Sequence, residues 1–570
     1  MQNFSRRDFL KLSVAALAVS SVSVAVTGCA AGADPSRLNR VNFSHGVASG
    51  DATQSSFILW TRALPELAEI VQVTLSWQLA LDADFQQVVR SGEVSTSVER
   101  DFTVKVDVQE LPPGTKFFYR FVGLDSQSMI GKTKTLSSDT LSSLKLAVFS
   151  CSNYPAGFFN VYREAATQQD LDAVIHLGDY IYEYAADGYA TEKSKEIGRT
   201  FAPDNASEIL SLKDYRNRYA LYRSDEALQQ LHAAFPWYLV WDDHEITNDT
   251  WHSGAENHQP DTEGDFLVRR MAAVRAYYEW LPIRPPQGEN SPKIYRSFNF
   301  GTLLSLHLLD TRVIARDEQL DYKNYVDPKT GQFDAARFSN DLTAERSLLG
   351  QEQLNWLQQK LQQSKSHWQL LGQQLLMSKM HIPAELLSVQ DYSQLPEKLQ
   401  ALVEVKKRVL AAQQATNTVN PTDVSRVNTL MPYNLDAWDG YPKEREQLYA
   451  IAKQLEKRLV VIAGDTHNAW CSQLVDQHGA HIGIEFATPS VSSPGLEYYL
   501  KVSPDRTKPL ADAFSLLIPD LQWCNLHQRG YMQLSVTRES ITCEWRFIDN
   551  ILSTDYQVVG THQVSYPNHR

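Results

Sequence analysis

From Leu144 onward the chain changes texture, and that change constrains its fold more than any other feature. Short apolar runs ("LKLAVFS", "LDAVIHL", "WYLVW", "TLLSLHLL", "WQLLGQQ" and "RLVVIAG") recur along the rest of the sequence. Between them lie stretches such as "GFFNVYREAATQQ" and "LGQEQLNWLQQKLQQS", whose apolar residues fall at i, i+3, i+4 and i+7. Strand-length runs alternating with helical spacing predict an α/β architecture over residues 144–570. Residues 185–225, 313–345 and 385–436 interrupt the pattern and read as insertions that cap a site. The stretch "GYMQLSVTRESITCEWRF" reads as a closing hairpin.

Ahead of that boundary the helical period is missing. "FILWTRA", "VQVTLSWQLAL", "FTVKVDV", "KFFYRFVGL" and "GKTKTL" are short, alternating, β-branched or aromatic runs at sandwich-like spacing. In "LPPGTKFFYRF" a turn leads into a strand whose alternating aromatics face one side, similar to a fibronectin type III or immunoglobulin-like strand pair. Residues 41–140 therefore predict an all-β domain, joined by a polar linker over residues 137–143. Two domains also suit a chain of 570 residues.

The first 29 residues read as a targeting segment. Arg6 and Arg7 precede a serine-broken apolar run over residues 14–26, too short to span a bilayer. The pattern resembles a twin-arginine export signal, whose partner is the machinery that moves folded proteins. Val26-Thr27-Gly28-Cys29 resembles a lipobox, in which Cys29 would be lipidated. The alternative is an ordinary cleavage site near "GCAAGA". The expected location is periplasmic or cell-envelope, with secretion the alternative, and lipid is the only membrane tether expected. Lysine and arginine total 54 against 67 acidic residues, a net charge of −13, which argues against a nucleic-acid-binding stripe. Metals could still attract anions, because they supply positive charge that counting side chains misses. Five cysteines are present. With Cys29 lipidated and Cys151 a ligand, Cys471, Cys524 and Cys543 allow at most one disulfide.

Four apolar runs end alike. "LAVFS" leads into Cys151-Ser152-Asn153, "AVIHLG" into Asp179 and Tyr182, "WYLVW" into Asp242-Asp243-His244-Glu245, and "LVVIAG" into Asp465-Thr466-His467. The carboxyl ends of strands form the ligand crevice of an open α/β sheet, so these residues predict a site at one edge of one sheet. Asp179 could bridge two cations, while Asp243, Asp465 and His467 add oxygen and imidazole donors. Tyr182 carries a phenol of ordinary pKa near about 10, which only a strong Lewis acid such as Fe(III) holds ionised. Cys151 adds a thiolate, favouring iron or zinc over magnesium. One Fe(III) position is expected, with Ca²⁺, Mg²⁺ or Mn²⁺ in the oxygen-rich remainder; a dinuclear Zn²⁺ or Mn²⁺ centre is the alternative.

"FSCSN", "HLGDYIYE", "WDDHEITND", "LLDTR", "LGQEQLNWL" and "IAGDTHNAW", in that order, resemble the PhoD-like alkaline phosphatases of the metallophosphatase superfamily. The resemblance covers nearly all of the chain after the targeting segment. It implies a metallophosphatase sandwich of α/β (α+β) class behind an all-β N-terminal domain. It also implies a metal-activated hydroxide attacking phosphate mono- or diesters, small or lipid-borne, at a centre of Fe³⁺ and Ca²⁺. By this resemblance Cys151, Asp179 and Tyr182 surround iron, with Asp179 bridging. Asp243, Asp465 and His467 complete the metal shells, and His244 faces the substrate as the catalytic residue. A phospholipase D-like phosphodiesterase is one alternative, and a catalytically inactive surface lipoprotein using its β-domain to bind a partner is another.

Other residues carry weaker expectations. Arg312 in "LLDTR" either binds substrate phosphate or pairs with Asp310 or a neighbour. Asn248 is either a ligand or an Asx-turn residue. His176 reads as a core histidine, His381 as a pocket or loop residue, and the leucine-rich helix over residues 348–361 as core.

Overall fold

The structure, a computed structural model, describes residues 40–387, 389, 394–415 and 418–568. The targeting segment and the lipidation expected at Cys29 lie outside the described residues.

Ser143–Phe149, Ala173–His176 and Pro236–Leu239 run parallel and adjacent, with Leu146 opposite Ala173 and Val174 opposite Trp237. They form the middle of a nine-stranded sheet. A second, seven-stranded sheet holds Leu304–Leu308, Trp368–Gly372, Leu459–Ala463 and His481–Ala487 in parallel. The two sheets stack face to face. Val148, Ile175, Val460, Ile462 and Phe486 share one apolar cluster across the gap. Trp545 Nε1 donates to the Ala487 carbonyl at 2.9 Å, and Thr488 Oγ1 to the Val148 carbonyl at 3.1 Å.

Helices close the outer faces. Leu459 and Val461, alternating with Val460 and Ile462, pack instead against Leu354, Leu357 and Leu448 of the helices Gly350–Gln363 and Pro442–Gln454. The leucine-rich helix is therefore core, as its spacing predicts. Every residue of Ala173–His176, Pro236–Leu239 and Leu459–Ala463 is buried. Strands covered on both faces have no solvent side on which to place polar residues, which is why these read as unbroken apolar runs. Each Val, Leu or Ile side chain buried there contributes about 1.5–3 kcal/mol. The result is a four-layer α/β sandwich.

The N-terminal segment is all-β, as expected, but its strands are divided among three sheets, the smallest being the pair Val41–Asn42 and Leu64–Pro65. Gln72–Ala80, Val88–Ser97, Lys116–Val122 and Gly131–Lys134 form a separate four-stranded sheet. There Phe117, Tyr119 and Phe121 face inward as their alternation predicts. Val47–Gly50, Phe57–Arg62 and Thr103–Val108 instead extend the nine-stranded sheet, with Ser49 paired in parallel to Pro236. The far side of that sheet is completed by the hairpin Arg529–Thr537 and Ser540–Ile548, with Val558–Pro567 added outside it. Cys471, Cys524 and Cys543 are buried and unpaired. Among the described residues no helix is long and apolar enough to cross a membrane.

Candidate metal centre

The site forms where the strands run out, and its backbone is unusual there. Cys151, Asp179, Asp465 and His467 all have φ between +54° and +61°. Non-glycine residues avoid this left-handed region, and each excursion costs on the order of 1 kcal/mol or more. The turns are knitted together: Cys151 N donates to the Gly178 carbonyl at 3.2 Å and Ser152 N to the Asp179 carbonyl at 2.9 Å. Gly178 is required by close approach, since a Cβ there would lie 2.3 Å from the Asp242 backbone nitrogen.

The first three motifs come from neighbouring strands of the nine-stranded sheet. The fourth does not. Asp465 and His467 follow Leu459–Ala463 of the seven-stranded sheet, so the expectation of one edge of one sheet is corrected: the site straddles the ends of both. The strands that lead into the site are buried on both faces in either sheet, so they read alike.

All six expected ligands converge. Three groups have ligand atoms within 4.8 Å of one another: Cys151, Asp179 and His467; Asp179, Asp243 and His244; and Asp242, Asp243 and Asp465. Tyr182 joins the first group, its phenol donating to Asp179 Oδ2 at 3.0 Å and lying 3.3 Å from His467 Nε2. Ser493 Oγ donates to the Tyr182 phenol oxygen at 2.7 Å. His467 Nδ1 sits 2.7 Å from the Pro494 carbonyl. A carbonyl only accepts, so Nδ1 carries a proton, and Nε2 is turned toward Asp179, 3.9 Å from its Oδ2.

His244 is fixed in the same way. Its Nδ1 lies 2.7 Å from Glu183 Oε2, and its ring is 4.2 Å from that of Tyr182. Glu183, fully buried, also accepts from Thr247, the Asn248 backbone and Asn257. Glu245 accepts the backbone N–H groups of Asp179, Tyr180 and Asp242, holding two ligand turns with one carboxylate. Arg218, on the helix Leu212–Arg223 of the first insertion, donates to the Tyr182 carbonyl.

Arg312 does not face the pocket as a phosphate-binding side chain would. It is wholly buried, with Nε 2.5 Å from Asp242 Oδ1, Nη1 on both oxygens of Asp436, and Nη2 2.9 Å from Asp465 Oδ1. Its guanidinium braces the aspartates. Asp310 contributes to the turn instead, accepting the backbone N–H groups of Arg312 and Val313. Asn248 lines the cavity but gives its amide to Glu256 at 3.2 Å. His381 pairs with Asp439 at 3.3 Å. His176 is a satisfied core residue, 2.8 Å from the Tyr162 phenol, with burial depressing its pKa to about 3.

The donor set fits cations. Burial, and then the charge of Asp179, push the Cys151 thiol and the Tyr182 phenol well above their ordinary values. Burial likewise raises Asp242 and Asp465 against the pull of Arg312. Burial and Asp179 lift Glu245 to about 8, and burial, Asp436 and Asp243 lift Asp249 to about 7. Asp243 is held down at about 2: burial opposes its charge, but Arg312 and His244 outweigh it. Burial also opposes charge on His244, yet Glu183, Asp243 and Asp179 hold its pKa well above the ordinary histidine value. Asp179 Oδ1 and Asp242 Oδ2 are buried with no hydrogen-bond partner. Acids this crowded stay ionised only where positive charge is added, and a bound cation supplies it.

Glu183, Asp249, Asp436 and Ser493 were not among the expected site residues, and Asp242 and Glu245 were placed at the site without a role. Glu183, Asp242 and Glu245 lie inside the quoted motifs and could have been read from them. Asp436 and Ser493 sit in loops with no periodic signal.

Sandwich and site, with the relatives that share them, make this chain a phosphoric ester hydrolase. Residues 146–545 match the PhoD-like phosphatase family, and residues 28–137 match the PhoD-like phosphatase N-terminal domain. The chain belongs to the PhoD-like phosphatase family. It is 33% identical over 520 residues to alkaline phosphatase D of Bacillus subtilis (strain 168), covering 88% of this chain and 77% of that protein. A solved structure of PhoD superposes with a TM-score of 0.73 at 30% identity, covering 92% of this chain and 90% of that one.

Proposed function

We propose that this protein is an exported, metal-dependent alkaline phosphatase acting on phosphate mono- and diesters, with Fe³⁺ and Ca²⁺ as its cations. The observation that carries the metal dependence is Asp179, a buried carboxylate shared by two candidate groups and left with one unpartnered oxygen. Cys151, Asp179 and Tyr182 would hold iron. Asp179, Asp243 and Asp465 would hold calcium, with His467 completing the shells. The chemistry such cations supply is polarisation of the phosphoryl oxygens and ionisation of water near neutral pH.

The protein's own groups do the rest. His244 donates a hydrogen bond from Nδ1 to Glu183, and its ring, kept protonated by Glu183, Asp243 and Asp179, lies beside Asp179 and Asp243. From there it delivers a proton to the departing ester oxygen, a contribution of about 10²–10⁴-fold. Tyr184 and Tyr189 form an aromatic wall of the same cavity and shield that exchange from water.

The test is metal analysis of protein exported in folded form, alongside turnover of p-nitrophenyl phosphate and bis(p-nitrophenyl) phosphate. The wild type should show a visible phenolate-to-iron band, and Tyr182→Phe should bleach it and lower activity. A colourless active wild type holding only zinc or manganese would replace the iron assignment. Export is tested separately: Arg6→Lys with Arg7→Lys should leave precursor in the cytoplasm, and unaltered export would overturn that route.

A further inference from the structure

The cavity above the aspartates has a volume of about 870 Å³, far more than a phosphoryl group needs, and its two sides differ in kind. Its floor is polar, formed by Asp179, Asp243, His244, Asp465 and His467. An apolar wall of the same cavity is formed by Ile382, Leu386, Trp470, Leu496, Leu500 and Phe514, while Tyr433, Asn434 and Tyr499 also line it. The wall has solid backing, because Ile382, Leu386, Leu500 and Phe514 belong to an apolar cluster that includes Leu399, Leu402 and Val427. Leu402 and Val427 come from the insertion helices Leu395–Gln414 and Pro421–Asn428, and Phe514 from the helix Pro504–Leu517. Among the described residues lining the cavity there is no lysine or arginine.

We infer that this wall is a subsite for an uncharged, apolar arm of a phosphodiester. The inference rests on the floor being the phosphoryl site. With the phosphoryl group on the floor and one ester oxygen departing beside His244, the second arm has the apolar wall before it. A charged arm, such as a further phosphate, finds no cationic side chain there. A sugar would place hydroxyl groups against aliphatic carbon and lose their hydration without replacement. An alkyl arm gains from every methylene it buries, about threefold to fourfold in binding for each one. A largely apolar pocket with polar groups at one end is how ligand sites commonly combine affinity with orientation.

The experiment keeps the departing group constant and varies the arm. Methyl, butyl and octyl p-nitrophenyl phosphodiesters are given to the metal-loaded full chain below their micelle concentrations. Butyl should exceed methyl in kcat/KM by about tenfold or more, with octyl higher still. In Leu500→Asp or Ile382→Asp the octyl-to-methyl ratio should fall toward one. Wild-type inhibition by methylphosphonate and octylphosphonate should show the same preference without any variant having to fold. A flat series on a wild type that hydrolyses the methyl ester overturns the subsite and leaves the phosphatase reading standing. Failure on every diester while p-nitrophenyl phosphate turns over overturns the subsite alone, and failure on the monoester as well overturns both.

Discussion

The two halves of the metal-binding cleft are stabilised in opposite ways. Around Cys151, Tyr182 and His467, apart from the shared Asp179, the partners are neutral: the Ser150 and Ser493 hydroxyls and the Pro494 carbonyl. Around Asp242, Asp243 and Asp465 the partner is the guanidinium of Arg312, with Arg316 adding its charge to Asp436. Buried acids with neutral partners keep their protons. The thiol and phenol half therefore depends on a bound cation for its ionised form. The carboxylate half carries some of its own counter-charge and keeps Asp243 ionised without help.

The largest test removes what the halves share. Asp179→Ala should empty both, with activity falling further than the about 10–100-fold that follows loss of a residue merely supporting a ligand. Elemental analysis should show both cations gone, and full occupancy of either half would break the idea of a bridging carboxylate. His244→Ala should instead leave metal content and melting temperature unchanged while kcat falls about 10²–10⁴-fold. That loss should shrink for esters with good leaving groups. Metal lost in step with activity would move His244 from proton donor to support.

Arg312→Met separates the halves. It leaves Asp242 buried and Asp465 half-buried without a guanidinium, Asp436 keeping Arg316, a loss of about 3–5 kcal/mol for a broken buried pair. Urea melts should show that loss in chelated protein and much less of it with calcium added, while the visible band persists. Equal destabilisation with and without calcium would mean that cation and guanidinium do not substitute for one another.

The smallest test uses a buried carboxylate outside the cleft. Burial lifts Glu485 to about 7, although the Met377 and Ser378 backbone N–H groups hydrogen-bond to it. Its folded pKa lies above its unfolded value, so the folded state binds the extra proton. This contribution is fully present below about 4.5 and is lost as pH rises through about 7. Glu485→Gln should remove a decline of about 1–3 °C in melting temperature across that window. An unchanged decline would place its source elsewhere.

What the sequence disclosed follows from how locally each signal is written. Cys151, Asp179, Asp243 and Asp465 could be found because each stands within a few residues of a strand end that its own apolar run announces. Glu183 was equally visible in "HLGDYIYE", but a carboxylate that only orients an imidazole looks the same in sequence as a surface glutamate. The assignment of Leu459–Ala463 to the second sheet was not legible, because burial on both faces erases the alternation that tells one sheet from another. The bracing role of Arg312 depends on three aspartates from three separate segments, and no spacing connects them. The N-terminal strands show the same limit: alternation identifies a strand but not its neighbour.

The position of Ser143–Phe149 has a consequence for how the molecule is assembled. This strand, which leads into Cys151, lies between Ala173–His176 and Arg529–Thr537. One neighbour is synthesised almost at once and the other only after nearly the whole chain. Until the later hairpin docks, the strand beneath the thiol presents a bare row of amides and carbonyls, the kind of edge that recruits foreign strands. Pairings this distant in sequence also form slowly. The cleft is therefore a late product of folding, and a chain truncated before Arg529 should aggregate rather than survive as a weaker enzyme.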